Sequence, residues 1–211
     1  MPRLLAMNSR TERLILQGAA GAIECALDQP AEGGALRGVA VLAHPHPLFG
    51  GTMDNKVVQT LARAFLHLGY RTVRFNFRGV GASAGTHDEG RGESEDMLAV
   101  IAATRQPGLP LALGGFSFGA YVTTLAAAAL PAEARAERLA LVGPSTQRAV
   151  PPAVPADTVV IHGEADEVVP LAATLDWARP QHLPVIVMPG VGHFFHGQLP
   201  RLRDLLVRSW H

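Results

Sequence analysis

With one cysteine, two tryptophans and two tyrosines among 211 residues, the chain is poor in thiols and in large aromatics. The lone thiol, Cys25, excludes a disulfide within the chain. It lies in Ala22-Ile23-Glu24-Cys25-Ala26-Leu27, which alternates loosely and reads as a strand, so a small buried hydrophobe is expected there. An excess of one charge is missing too, because 18 basic and 18 acidic side chains cancel. That excludes a broad field favouring nucleic acid or an anionic membrane. Nor does any stretch approach the roughly 18 uninterrupted apolar residues of a membrane span. Residues 1–11 hold only Leu4-Leu5-Ala6-Met7 as an apolar patch, too short for a signal-peptide core. The expectation is a soluble, cytoplasmic protein with no nucleic-acid partner and no membrane span.

What is present is apolar material arranged in a regular beat. Hydrophobic residues make up 48% of the chain, ample for the buried sheet of one α/β domain over residues 1–211. Strand-like runs fall at 14–16, 22–27, 39–42, 71–77, 111–115, 139–142, 158–162 and 185–188. Helical candidates fall at 55–68, 93–104, 118–130, 171–178 and 199–210. Val57, Leu61, Ala64, Phe65 and Leu68 repeat at helical spacing, with Asp54 as the expected N-cap and Gly69 as the stop. Such alternation implies a doubly wound, mostly parallel sheet of about seven or eight strands with helices on both faces. The first two strands have no helix between them and are expected to pair as an antiparallel hairpin at one edge. Residues 144–157, with four prolines, read as a loop too short for a helical lid.

The most informative stretch is Leu109 to Leu130. An apolar run reaches Gly115-Phe116-Ser117-Phe118-Gly119, and an alanine-rich helical run follows at once. Strand, tight turn and helix with a serine at the apex make a nucleophile elbow. The turn strains the serine backbone, so small residues are needed at 115 and 119. A second G-x-S-x-G match, Gly81-Ala82-Ser83-Ala84-Gly85, sits in a Gly/Ala/Ser-rich stretch with no helical run behind it. Ser117 is therefore the expected nucleophile and Ser83 is not.

A serine hydroxyl needs a base to take its proton and an acid to orient that base. In an elbow fold these follow the serine in the order acid, then histidine, each at a strand end. After the strand at 158–162 comes Gly163-Glu164-Ala165-Asp166-Glu167, from which Asp166 is the expected acid; Glu164 and Glu167 read as solvated loop charges. After the strand at 185–188 comes Pro189-Gly190-Val191-Gly192-His193-Phe194-Phe195-His196. His193, freed by Gly192, is the expected base, His196 a surface or capping residue, and His162 a packed structural histidine. An oxyanion hole needs two backbone donors. Phe118 supplies one. The other comes from Ala43-His44-Pro45-His46-Pro47-Leu48-Phe49-Gly50-Gly51, where the prolines carry no N–H. His46 and Leu48 remain, with a preference for His46.

These residues together resemble the α/β-hydrolase superfamily. Arg74-Phe75-Asn76-Phe77-Arg78-Gly79-Val80-Gly81-Ala82-Ser83 is similar to the superfamily's F-D-x-R-G-x-G-x-S stretch, with Asn76 replacing the usual Asp. His44-Pro45-His46-Pro47-Leu48-Phe49-Gly50-Gly51-Thr52-Met53-Asp54-Asn55-Lys56, taken with the elbow, resembles a group of small lidless bacterial serine hydrolases described mostly as esterases. The resemblance implies carboxyl-ester hydrolysis through an acyl-enzyme, requiring no metal or organic cofactor. Phe49 and Phe194, with Leu48 and Phe195, are candidate walls for a short acyl chain. Thioester or amide cleavage uses the same parts, and a silent hydrolase fold kept for binding is the non-enzyme reading. Two other motifs are weaker. The fingerprint-like Gly79-Val80-Gly81-Ala82-Ser83-Ala84 runs into a loop where a dinucleotide site needs a helix. The pair His44 and His46 would suit a metal on a barrel strand, but the chain is short for a barrel of about 250 residues.

Overall fold

A computed structural model of the chain describes residues 11–31, 35–147 and 149–210. The apolar patch at Leu4–Met7 lies outside the described residues. Eight strands form one sheet: β1 (Glu12–Gly18), β2 (Gly21–Asp28), β3 (Gly38–Ala43), β4 (Tyr70–Phe75), β5 (Leu111–Phe116), β6 (Arg138–Val142), β7 (Val159–Gly163) and β8 (Val185–Met188). Their order across the sheet is β1-β2-β4-β3-β5-β6-β7-β8. β1 pairs antiparallel with β2, and β2 antiparallel with β4; every other pairing is parallel. The hairpin expected at one edge is there.

Five α-helices accompany them: α1 (Lys56–His67), α2 (Arg91–Thr104), α3 (Phe118–Ala129), α4 (Leu171–Ala178) and α5 (Leu199–Ser209). β3 and β5 are buried along their whole length, as continuous apolar runs between helical layers must be. One core joins Val41, Phe75, Met97, Val100, Val122 and Trp177, packing α2, α3 and α4 on one face. The other joins Leu42, Leu61, Phe65, Phe116, Leu202 and Trp210, packing α1 and α5 on the opposite face. Cys25 is wholly buried in β2, and burial, helped by the Glu24 carboxylate, pushes its thiol up to about 12.

One local detail differs from the sequence reading. Asn55, not Asp54, caps α1 through its side chain onto the Val57 amide. Asp54 is drawn away because its carboxylate takes both Arg13 and Arg74. Between β6 and β7 the described residues form neither helix nor strand, so no lid covers the sheet's C-terminal edge. Among the described residues, no helix is long and apolar enough to cross a membrane.

Candidate active site

In parallel sheets ligands bind beyond the carboxyl ends of the strands, and four loops converge there. Ser117 leaves β5 and opens α3 with φ 56° and ψ −119°, a left-handed backbone that a non-glycine residue rarely adopts. Both elbow glycines are forced by contact. A Cβ at 115 would strike the Gly119 backbone, and one at 119 would strike the carbonyls of Ala43 and His44. The Ser117 amide is tied to the Val142 carbonyl at 2.9 Å, and its own carbonyl accepts from Ala120 and Ser145. Its hydroxyl is thereby fixed at the head of the helix.

The loops after β7 and β8 bring the other two side chains to it. His193 Nε2 lies 3.0 Å from Ser117 Oγ, and His193 Nδ1 lies 2.7 Å from Asp166 Oδ2. A carboxylate only accepts, so Nδ1 carries the proton and Nε2 is left to receive the serine's. Asp166 Oδ1 accepts from the amides of Val168 and Val169 at 2.9 and 2.7 Å. Burial alone would raise the Asp166 carboxyl; the His193 hydrogen bond and the two amides override it and hold it below the ordinary carboxylate value. His162 stands behind this acid, 3.4 Å from Asp166 Oδ2 and wholly buried. Its Nε2 donates to the Val169 carbonyl, its Nδ1 accepts from Thr174, and burial keeps it below the usual histidine value. His196 is exposed on the surface, and Glu164 and Glu167 are exposed loop charges.

The loop after β3 is held from several sides. His44 is buried; its Nε2 accepts the Phe77 amide at 3.0 Å and its Nδ1 donates to the Pro45 carbonyl at 2.6 Å. Burial pushes its proton binding down to about 4, leaving a neutral ring with both nitrogens engaged. Gly51 packs on the same Pro45 carbonyl, where a Cβ has no room. Residues 47–49 form a single 3-10 turn, and the Leu48 amide donates to His46 Nδ1 at 3.3 Å. Further along, Arg74 is buried yet binds the Met53 carbonyl, Asp54 and Asp28. The Met53 amide donates to Asn76 Oδ1, while Asn76 Nδ2 donates to Glu24 Oε2 at 2.8 Å. An aspartate at 76 would set two carboxylates face to face, which accounts for the asparagine in this chain.

An open cleft of about 380 Å³ lies over Ser117, with His46, Phe49, Phe118, Val168, His193 and Phe194 among its lining. Phe49 and Phe194 stand exposed at its walls, and Leu48 points outward at 69% exposure, away from the lining. Sequence reasoning passed over one neighbouring cluster. His87 Nδ1 lies 2.8 Å from Glu93 Oε1, and Glu93 is fully buried at the start of α2, also accepting the amides of Asp88 and Gly90. The available signal was a glutamate at the third residue of a helix preceded by glycine, the reach-back half of a capping box. Ser83 lies elsewhere: its hydroxyl donates to the Asn76 carbonyl and accepts the Glu24 amide.

Residues 36–157 match the family model described as serine aminopeptidase, S33. A protein from Xanthomonas campestris, described as an α/β serine hydrolase without lid, superposes with a TM-score of 0.87 at 41% identity, over 95% of this chain and 94% of that one. An α/β serine hydrolase homologue from Coxiella burnetii gives 0.81 at 40% identity, over 95% and 97%. An uncharacterized protein of Rickettsia prowazekii (strain Madrid E) is 43% identical over 88 residues, 40% of this chain. That match spans 37% of the length of the Rickettsia protein.

Proposed function

The chain belongs to the lidless α/β serine hydrolases, and on that premise we propose that it cleaves small carboxylic esters through an acyl-enzyme on Ser117. The observation that carries this reading is the unbroken hydrogen-bond line from Ser117 through His193 to Asp166. Ser117 Oγ attacks the ester carbonyl as its proton passes to His193 Nε2, and Asp166 stabilises the resulting imidazolium. The same proton then goes to the departing alkoxide as the carbon–oxygen bond breaks. Water, deprotonated by His193, attacks the acyl-serine; the acid leaves and the serine regains its proton.

The developing oxyanion faces the Phe118 amide at the head of α3 and the amide of His46. Peptide geometry supports the second donor. In a trans peptide the carbonyl and the following N–H point opposite ways. The Pro45 carbonyl is turned into His44 and Gly51, so the His46 N–H points to the other side, where His46 lines the cleft. The Leu48 amide is spent on the His46 ring, which favours His46 over Leu48. Each such donor is worth about 3 kcal/mol in transition-state stabilisation.

Phe49 and Phe194 bracket an uncovered cleft, which suits short acyl groups rather than long lipid chains. Amide cleavage is the second reading, favoured by the aminopeptidase description of the matched family. A fluorophosphonate should label the protein, and Ser117→Ala should abolish the labelling. A graded series of p-nitrophenyl esters, run beside an aminoacyl anilide, then separates the readings. Fastest turnover on short esters is expected. Faster turnover of the anilide overturns the esterase reading, and labelling that survives Ser117→Ala overturns the nucleophile.

A further inference from the structure

Next to the main cleft, with Phe118 in the wall of both, lies a smaller cavity of about 100 Å³. Its lining is mixed where the cleft is mostly apolar: His87, Glu89, Tyr121 and Ala149 join His46, Phe118 and Ser145. His46, Phe118 and Ser145 are shared by both spaces, so the small cavity adjoins the cleft that holds Ser117. The His87 ring sits 4.8 Å from that of His46 and 5.4 Å from that of Phe118. We propose that this cavity is a subsite for a hydroxyl group borne by the substrate close to its scissile carbonyl, received by His87. The inference rests on the hydrolase reading above and narrows its substrates to hydroxylated esters.

The chemistry follows from how His87 is held. Its side chain is 13% exposed and its Nδ1 is turned onto Glu93, a carboxylate with no exposure of its own. Glu93 is anchored by two backbone amides, so the ring orientation is set before anything binds. Nε2 is the nitrogen left over, with no hydrogen-bond partner among the described residues, and in the neutral ring it accepts. A hydroxyl donates to such a nitrogen. A carboxylate does not, and it would also meet the negative charge of Glu89 and Glu93. Glu89 is held at φ 52° on the cavity wall, the kind of backbone strain that collects at functional sites.

The test reads binding at Ser117 without presuming which bond is cut. Butyramide and 3-hydroxybutyramide compete separately with a fluorophosphonate, and the slowing of labelling gives each affinity. In the wild-type protein the hydroxylated amide should bind roughly five- to tenfold more tightly, the range of one hydrogen bond. Phenyl 3-hydroxybutyrate should exceed phenyl butyrate in kcat/KM by a similar factor, expressed mainly in KM. His87→Phe should bring both ratios to about one. Because that change leaves a buried carboxylate short of a donor, His87→Phe with Glu93→Gln serves if the single variant does not fold. Equal protection by the two amides in the wild-type protein overturns the subsite and leaves the hydrolase reading standing. Stronger protection by 3-aminobutyramide also overturns it, in favour of an ammonium site. Absence of labelling removes the hydrolase reading and the subsite with it.

Discussion

Ser83 and Ser117 each sit at the centre of a G-x-S-x-G, and each is 7% exposed. Neither motif nor burial separates them; their hydrogen bonds and backbones do. The Ser83 hydroxyl gives its proton to the Asn76 carbonyl at 2.7 Å and accepts the Glu24 amide of β2 at 2.9 Å, so backbone groups use it both as donor and as acceptor. The Ser117 hydroxyl is paired with an imidazole, and its positive φ lifts it clear of the sheet. On the proposed reading, Ser117 is the reactive serine because the strand-to-helix turn leaves its hydroxyl to an imidazole.

Deleting the two hydroxyls in turn should separate the two serines most strongly. Ser117→Ala should lower kcat by about 10⁴- to 10⁶-fold on the best ester found. Ser83→Ala should leave fluorophosphonate labelling of Ser117 intact while costing roughly 1–2 kcal/mol in urea unfolding, through two orphaned backbone groups. Loss of labelling in Ser83→Ala would reverse the assignment. Next in size is the elbow itself. Gly119→Ala drives a methyl into the carbonyls of Ala43 and His44, and a loss of at least about 3 kcal/mol, or failure to fold, is expected.

His44 links the two regions, tying the Phe77 amide of the Ser83 turn to the Pro45 carbonyl of the Ser117 site. Folded His44 binds its proton only at about 4, whereas the unfolded residue does so at its ordinary 6.5. Between those values the unfolded state holds more protons, so stability must fall as pH drops through that window. The difference amounts to about 3 kcal/mol once pH is below both values. Urea midpoints measured from pH 7.5 to 4 should show the decline, and His44→Asn should flatten it. Asp166, whose carboxyl is held low in the fold, adds a loss in the same direction at more acidic pH. The smallest effect tests the turn around Ser83. Asn76→Asp should cost roughly 1–2 kcal/mol by facing Glu24, and adding Glu24→Gln should restore most of it.

The order of strands and helices was legible because apolar runs and helical repeats are local. So was the meeting of Ser117, Asp166 and His193, since each lies just past a strand whose end is visible in the sequence. Partners distant in the chain were not legible. Nothing near Asp54 announces that Arg13 and Arg74 claim it and leave the cap to Asn55. Leu48 was kept as an oxyanion donor because eliminating prolines cannot reveal that a histidine ring two residues back accepts its amide. His87 read as part of a loop and Glu93 as the first residue of a helix, because their pairing beside Phe118 and Tyr121 depends on residues that arrive from another element.

Cys25 offers a built-in reporter of a different kind. Enclosed in the antiparallel margin of the sheet and reluctant to ionise, it should ignore a maleimide for as long as β1, β2 and β4 stay zipped together. The modification rate then follows how often that margin opens, read separately from turnover at the candidate site. One buried thiol times the breathing of the scaffold on which Ser117 stands.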